Sequence, residues 1–176
     1  MIMTTVDFYP VAPWCNRDNK WKASNRALGE WIRCKRPALG PALAIAGEIR
    51  RQLESIFPLL DEICRVSCPW CPEPCCIVNK VWIDFQDLLF LHLLDLQIPP
   101  TQLNTADEDT CRYLTHRGCR LPRIIRPWAC TLHTCPTQVQ CLDKMSLAVQ
   151  SEYHSAIRSI KKCRFDMTDA VNPNIA

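Results

Sequence analysis

Thirteen cysteines stand in a chain of 176 residues, and eight of them fall on two segments whose spacing suits metal chemistry. The first segment, SCPWCPEPCC over residues 67–76, carries Cys68, Cys71, Cys75 and Cys76. A Cys-x2-Cys turn sets two thiolates about one metal-ligand edge apart and aims backbone amides at the sulfurs, a geometry that zinc and iron–sulfur sites share. Pro69, Pro72 and Pro74 fix this turn in advance and withhold amide donors from the sulfurs. The neighbouring Cys75 and Cys76 point apart in extended backbone, so both serve one site only where the chain kinks, and one of them can face a second site. The second segment carries Cys111, Cys119, Cys130 and Cys135 at spacings x7, x10 and x4, which match no simple zinc ribbon. Arg112, Arg117, Arg120, Arg123 and Arg126 lie among them, with no acidic residue from Cys111 to Cys141. Thiolates bound to iron or zinc leave net negative charge, which guanidinium groups offset while lowering thiol pKa values.

Other chemistry is weaker or excluded. Cys15, Cys34, Cys141 and Cys163 are scattered and read as small buried hydrophobes; Cys15 and Cys163 are not expected to be ligands. His92 lies on an apolar helix and reads as a core histidine with its polar atoms satisfied. His116 and His133 lie in the cysteine segment, where either can replace a thiolate at a zinc ion. A nucleophilic Cys/His pair is compatible with the spacing. Four glycines leave little room for a phosphate-binding loop. Asp107, Glu108 and Asp109 read as a solvated turn. A net charge of +3 and a pI of about 8.2 are too mild to argue for nucleic acid. Trp14, Trp21 and Trp31 read as anchors of an amino-terminal arm on the body or on a protein partner.

The elements that must hold these cysteines are helical. Hydrophobic residues make up 48% of the chain, enough for a core. Residues 1–37 are expected to form an irregular, basic, Trp-containing arm with one short helix capped by Ser24. Residues 38–165 are expected to form a single metal-binding helical domain with its cysteine core at 64–137, and 166–176 a tail. Ile45, Ile49, Leu53, Ile56 and Leu60 recur at helical spacing in a helix over about 42–64, which Pro58 should kink. Residues 67–76 are expected to be non-helical and 77–83 a short strand. Asp84 should cap the helix DFQDLLFLHLLDL. The stretch 97–137 reads as mostly irregular, and a last helix is expected over about 138–162, with Leu142, Met145, Val149, Tyr153, Ile157 and Ile160 on one face. The fold class is therefore mainly α, with helices packed around irregular cysteine-rich loops that bind metal and room for one short β pair near 78–83. The apolar run at 88–96 is broken by His92 and Asp95 and is too short to span a bilayer. The amino terminus lacks a basic segment followed by an apolar run. A cytoplasmic protein is expected, where thiols stay reduced or bind metal; the odd cysteine count agrees.

The segments CPWCPEPCC and CRYLTHRGCRLPRIIRPWAC, separated by the acid-led helix from Asp84, resemble the CxxCxxCC family of zinc- or iron-chelating domains. The resemblance covers roughly residues 64–137 and implies Cys68, Cys71, Cys75, Cys76, Cys111, Cys119, Cys130 and Cys135 as metal ligands. In its Arg-Pro-x-x-Cys element, Pro127 holds Arg126 in extended backbone, which would aim the guanidinium at the anionic site. Flagellin lysine methylases look like distant relatives, and that likeness implies an iron–sulfur cluster, of the 4Fe–4S kind by preference, with zinc the alternative. The function expected is electron transfer or service as an accessory subunit of a larger enzyme. The alternatives are a zinc-stabilised interaction module and a cluster-dependent modifying enzyme. The chain is not expected to be an enzyme on its own, and its partners are expected to be proteins rather than nucleic acid.

Overall fold

The computed structural model describes residues 18–71, 73–104, 110–116 and 118–172. Trp14, Cys15, Arg117 and the acidic run 107–109 lie outside the described residues. The chain is mainly helical, with one two-residue antiparallel strand pair among the described residues. The longest helices are α1 (Asp18–Lys35), α2 (Gly40–Ser67) and α7 (Leu147–Val171); shorter ones are α3 (Cys75–Val78), α4 (Phe85–Leu93), α5 (Trp128–Leu132) and α6 (Pro136–Asp143). Among the described residues no helix is long and apolar enough to cross a membrane.

The core is built on α2 against α7. On α2 the buried positions are Ala42, Ala46, Ile49, Leu53, Ile56, Leu60, Ile63 and Ser67, alternating by four and three residues. That rhythm draws a narrow apolar seam along the helix. Tyr153, Ile160, Arg164, Met167 and Val171 answer it from α7. Pro58 lies within α2, which continues through it. Pro58 is exposed, so the carbonyl it leaves unpaired falls on the solvent side.

Several elements differ from expectation for identifiable reasons. Helix α1 begins before Ser24, and its Trp21, Leu28 and Ile32 are buried in the common core. Trp21 Nε1 donates to Pro99 O at 2.9 Å, so the second half of the arm is part of the body. Residues 77–83 form no strand: Ile77 and Val78 complete α3. Beyond it, Val81 N donates to Asn104 Oδ1 at 3.0 Å and Ile83 N to Gln102 Oε1 at 2.8 Å, side chains taking the place of a neighbouring strand. The strand pair is instead Leu114–Thr115 (β1) with Gly118–Cys119 (β2), Leu114 opposite Cys119. Gly118 has φ 93°, a turn conformation that glycine adopts without steric cost. The last helix divides where Ser146 caps α7 by accepting from Val149 N at 3.4 Å. It then runs to Val171, well into the expected tail, because Met167 and Val171 find core to bury.

Asp84 caps α4 as expected, and it does more. Its Oδ1 accepts from Asp87 N at 2.7 Å while Asp87 Oδ2 accepts from Asp84 N at 3.1 Å, a reciprocal capping box. Arg164 of α7 reaches both acids: Nη1 donates to Asp87 Oδ1 at 2.6 Å, and Nη2 donates to both Asp84 oxygens at 2.9 Å. The same Asp87 Oδ1 accepts from Trp128 N at 3.0 Å, so a buried carboxylate caps α5. Burial outweighs these donors and pushes the Asp87 carboxyl up to about 6.

Removing Arg164 while leaving its acids buried is therefore expected to destabilise the fold by about 3–5 kcal/mol at neutral pH. Denaturant unfolding of Arg164→Met measures this, and a loss below about 1 kcal/mol would contradict the network's role. The raised Asp87 pKa carries its own signature. Its contribution to stability is complete below the unfolded value of 3.8 and is lost as pH rises through about 6. Between those limits the native protein should lose stability relative to Asp87→Asn as pH rises; parallel pH profiles for the two proteins would contradict it.

Candidate metal centre

Three stretches of chain bring cysteines to one end of the helices. The first is the run from the end of α2 through the 3-10 turn Cys68–Trp70 to α3, whose first two residues are Cys75 and Cys76. The expected loop is thus partly helical: proline at the first positions of a turn costs no hydrogen bond. The second is the β1–β2 hairpin, which docks on α3 through Cys111 N donating to Cys76 O at 2.8 Å. Tyr113 pins the hairpin from the other side: its hydroxyl donates to Thr101 O at 2.9 Å, and Arg120 lies over its ring at 5.0 Å. The third is α5, which carries Cys130 and is capped by Asp87.

The thiols form two adjoining groups, with the charge of Cys64 bearing on Cys75 and that of Cys75 on Cys68. Cys64 and Cys68 sit one helical turn apart, and Gln138 Nε2 donates to Cys64 Sγ at 3.3 Å and Cys68 Sγ at 3.7 Å. A hydrogen bond from Cys68, then the guanidinium of Arg123 and the charge of Arg126, hold the Cys64 thiol down at about 6 against the effect of burial. The same contact pushes Cys68 up. In the second group, a hydrogen bond from Cys76 holds Cys75 down at about 6, helped by the charge of His133. That bond, burial and the charges of Cys75, Cys111 and Cys119 push Cys76 up. Burial, then Cys119 and Cys75, raise Cys111. Burial, then Cys111, Cys119, Cys75 and Asp87, push Cys130 up to about 12. Five thiols from three separate stretches thus lie within reach of one another's charge.

The eight cysteines expected as ligands are not brought to one point. Cys75, Cys76, Cys111, Cys119 and Cys130 lie within reach of one another's charge; Cys68 pairs with Cys64, and Cys75 interacts electrostatically with both. Cys71 and Cys135 are half-buried and contribute through the backbone, Cys71 N donating to Cys68 O at 3.2 Å and Cys135 N to Gln138 Oε1 at 3.1 Å. Among the described residues no three Cys, His, Asp or Glu side chains close on a point that could hold a metal ion. The donor set is chemically suited to a thiophilic metal such as iron or zinc and unsuited to calcium or magnesium, but its sulfurs do not yet enclose one.

Arg126 has extended backbone, φ −72° and ψ 144°, as Pro127 requires. Its Nε donates to Leu121 O at 2.8 Å, so its charge bears on Cys64 while its fork also braces the loop. Arg123, one of the arginines expected to lower thiol pKa values, bonds Cys64 and pairs with Asp61; sequence reasoning missed Gln138, which joins α6 to the sulfurs. It also missed Cys64, although Cys64-x3-Cys68 is helical spacing and becomes legible once α2 is carried on to Ser67. Of the scattered cysteines, Cys141 and Cys163 pack on the core as expected, whereas Cys34 is exposed.

Unequal thiol acidity should be visible in reactivity, because the thiolate is the nucleophile. At neutral pH iodoacetamide is expected to alkylate Cys64 well ahead of Cys130, and Arg123→Ala should slow the Cys64 reaction. Peptide mass spectrometry after timed quenching measures both, and equal rates at Cys64 and Cys130 would contradict this electrostatic picture.

Compared with known proteins, the chain matches no family model, no curated protein and no solved structure.

Proposed function

We propose that the protein is a small thiolate metalloprotein of the reducing cytoplasm. It holds an iron–sulfur cluster through cysteines drawn from Cys75, Cys76, Cys111, Cys119 and Cys130, and it serves electron transfer or acts as an accessory subunit beside a larger protein partner. The observation that supports this reading is the gathering of those five thiols, from three stretches of chain, at the end of the helices that Arg164 and Asp87 brace. Four thiolates are what a 4Fe–4S cluster requires. When bound, such a cluster supplies a one-electron redox centre. The protein's own part is to hold the sulfurs together and to place positive charge near them. Because the sulfurs are near one another without enclosing a point, metal binding has to draw the loops inward, and its free energy becomes folding free energy. One observation favours a second reading. The charge of His133 bears on Cys75, and a mixed Cys/His set suits a structural zinc ion, in which case the metal only stabilises an interaction module.

Anaerobic reconstitution with ferrous iron and sulfide, followed by desalting, separates these readings. The expected product is brown, with broad visible absorption and about four iron and four sulfide per chain, and it unfolds at a higher temperature than the metal-free protein. A colourless protein that retains about one zinc per chain instead supports the zinc reading. Retention of neither metal would overturn both.

A further inference from the structure

Polar groups also gather away from the thiols. A cleft of about 490 Å³ lies between α1 and the carboxyl end of α4, a size ordinary for a small-molecule site. Along α1, Arg26, Gly29, Glu30 and Arg33 recur at helical spacing and line it, and Arg36 follows in the next turn. Arg26 and Arg33 are exposed and have no hydrogen-bond or ion-pair partner among the described residues.

Three features of this cleft work against the stability of the fold by itself. Asn25 Oδ1 and His92 Nε2 are buried with no partner among the described residues, so His92 is not the satisfied core histidine that its helix suggests. Asp95 has φ 51°, the left-handed conformation that glycine usually supplies after a helix. Its carboxylate also stands beyond the carboxyl end of α4, where the helix dipole disfavours negative charge. That carboxylate accepts from Arg36 Nη2 at 2.9 Å and so holds a guanidinium at the rim of the cleft. Gly29 is the third feature. A Cβ there would meet His92 Cε1 at 3.0 Å, close enough that the imidazole would have to give way, so the absence of a side chain at residue 29 lets the ring seat against α1. Two of the four buried, unpartnered side-chain atoms among the described residues thus line this cleft, beside a non-glycine residue of positive φ, and that combination points to a ligand.

We propose that this cleft binds a small molecule that carries an oxyanion, a phosphate or a carboxylate, together with a hydrogen-bond donor. The forks of Arg26 and Arg33 take the oxyanion. The donor completes Asn25 Oδ1, and burial keeps the His92 imidazole neutral, so that its Nε2 offers one further hydrogen bond. The site is independent of the thiols. Asp87 and His92 are five residues apart on α4, about 8 Å along its axis, and the acid faces α5 while the imidazole faces α1.

The test is titration of the full chain with inorganic phosphate and, separately, with succinate, followed by the proton resonances of the His92 ring. Saturable shifts are expected for at least one probe at a Kd of about 1 mM or below, and which probe binds identifies the oxyanion. The double variant Arg26→Ala, Arg33→Ala changes only exposed groups and should keep its fold while binding at least tenfold more weakly. Gly29→Ala should weaken binding by displacing His92. Failure of both probes to saturate, or wild-type affinity in the folded double variant, would overturn the proposal, and neither outcome bears on metal content.

Discussion

Arg164 reaches from α7 to the buried carboxylates at the start of α4, and one of those carboxylates caps α5 through Trp128 N. Three elements far apart in sequence meet in this one contact. A guanidinium suits the role because its planar fork can serve two acids at once, and here its Cζ also lies 5.8 Å from the Trp128 ring centre. Such a buried network adds little net stability over well-packed apolar side chains, since desolvation offsets the attraction. Its value is positional. An apolar core tolerates sliding, whereas a carboxylate with three donors at fixed angles sets the height of α7 against α4 and the entry of α5.

Cys130 is two residues beyond the amide that Asp87 holds, and Cys111 is tied to Cys76 through the backbone. Cys130 and the Cys76–Cys111 pair are therefore positioned by a buried acid and a backbone hydrogen bond, whereas Cys64 and Cys68 also take sulfur contacts from Gln138. Close thiols resist joint ionisation, which is why burial and neighbouring sulfurs together raise Cys76, Cys111 and Cys130. A bound cation reverses that logic by favouring every thiolate at once. The arginines of the cysteine segment divide the remaining work. Arg123 and Arg126 set the charge near Cys64, and Arg120 braces the hairpin against Tyr113.

The helices were legible wherever an apolar stripe repeated over several turns, as on α2 and α7, and where Asp84 announced a cap. Their ends were not, because α1 and α7 are extended by tertiary burial of Trp21 and Val171 that no local pattern reveals. The segment 77–83 is rich in the β-branched and aromatic residues of a strand, yet it pairs with the side chains of Gln102 and Asn104, a substitution no local pattern reveals. At the thiol end, the spacing pointed to two cysteine segments but could not say which of their thiols lie near one another. Cys76, Cys111 and Cys130 converge because the hairpin and α5 both dock near α3, whereas Cys68 is drawn to Cys64 by the continuing helical turn. Arg164 gave no signal at all, since an arginine in an amphipathic helix ordinarily reads as surface.

Metal and sulfide content of single Cys→Ser variants, reconstituted anaerobically side by side, tests the central claim most directly. The thiols gathered by α3, the hairpin and α5 should prove to be the ligands: replacing Cys76, Cys111 or Cys130 should each remove most of the metal, while replacing Cys34 or Cys163 should leave it unchanged. Equal metal content across both sets would contradict the account.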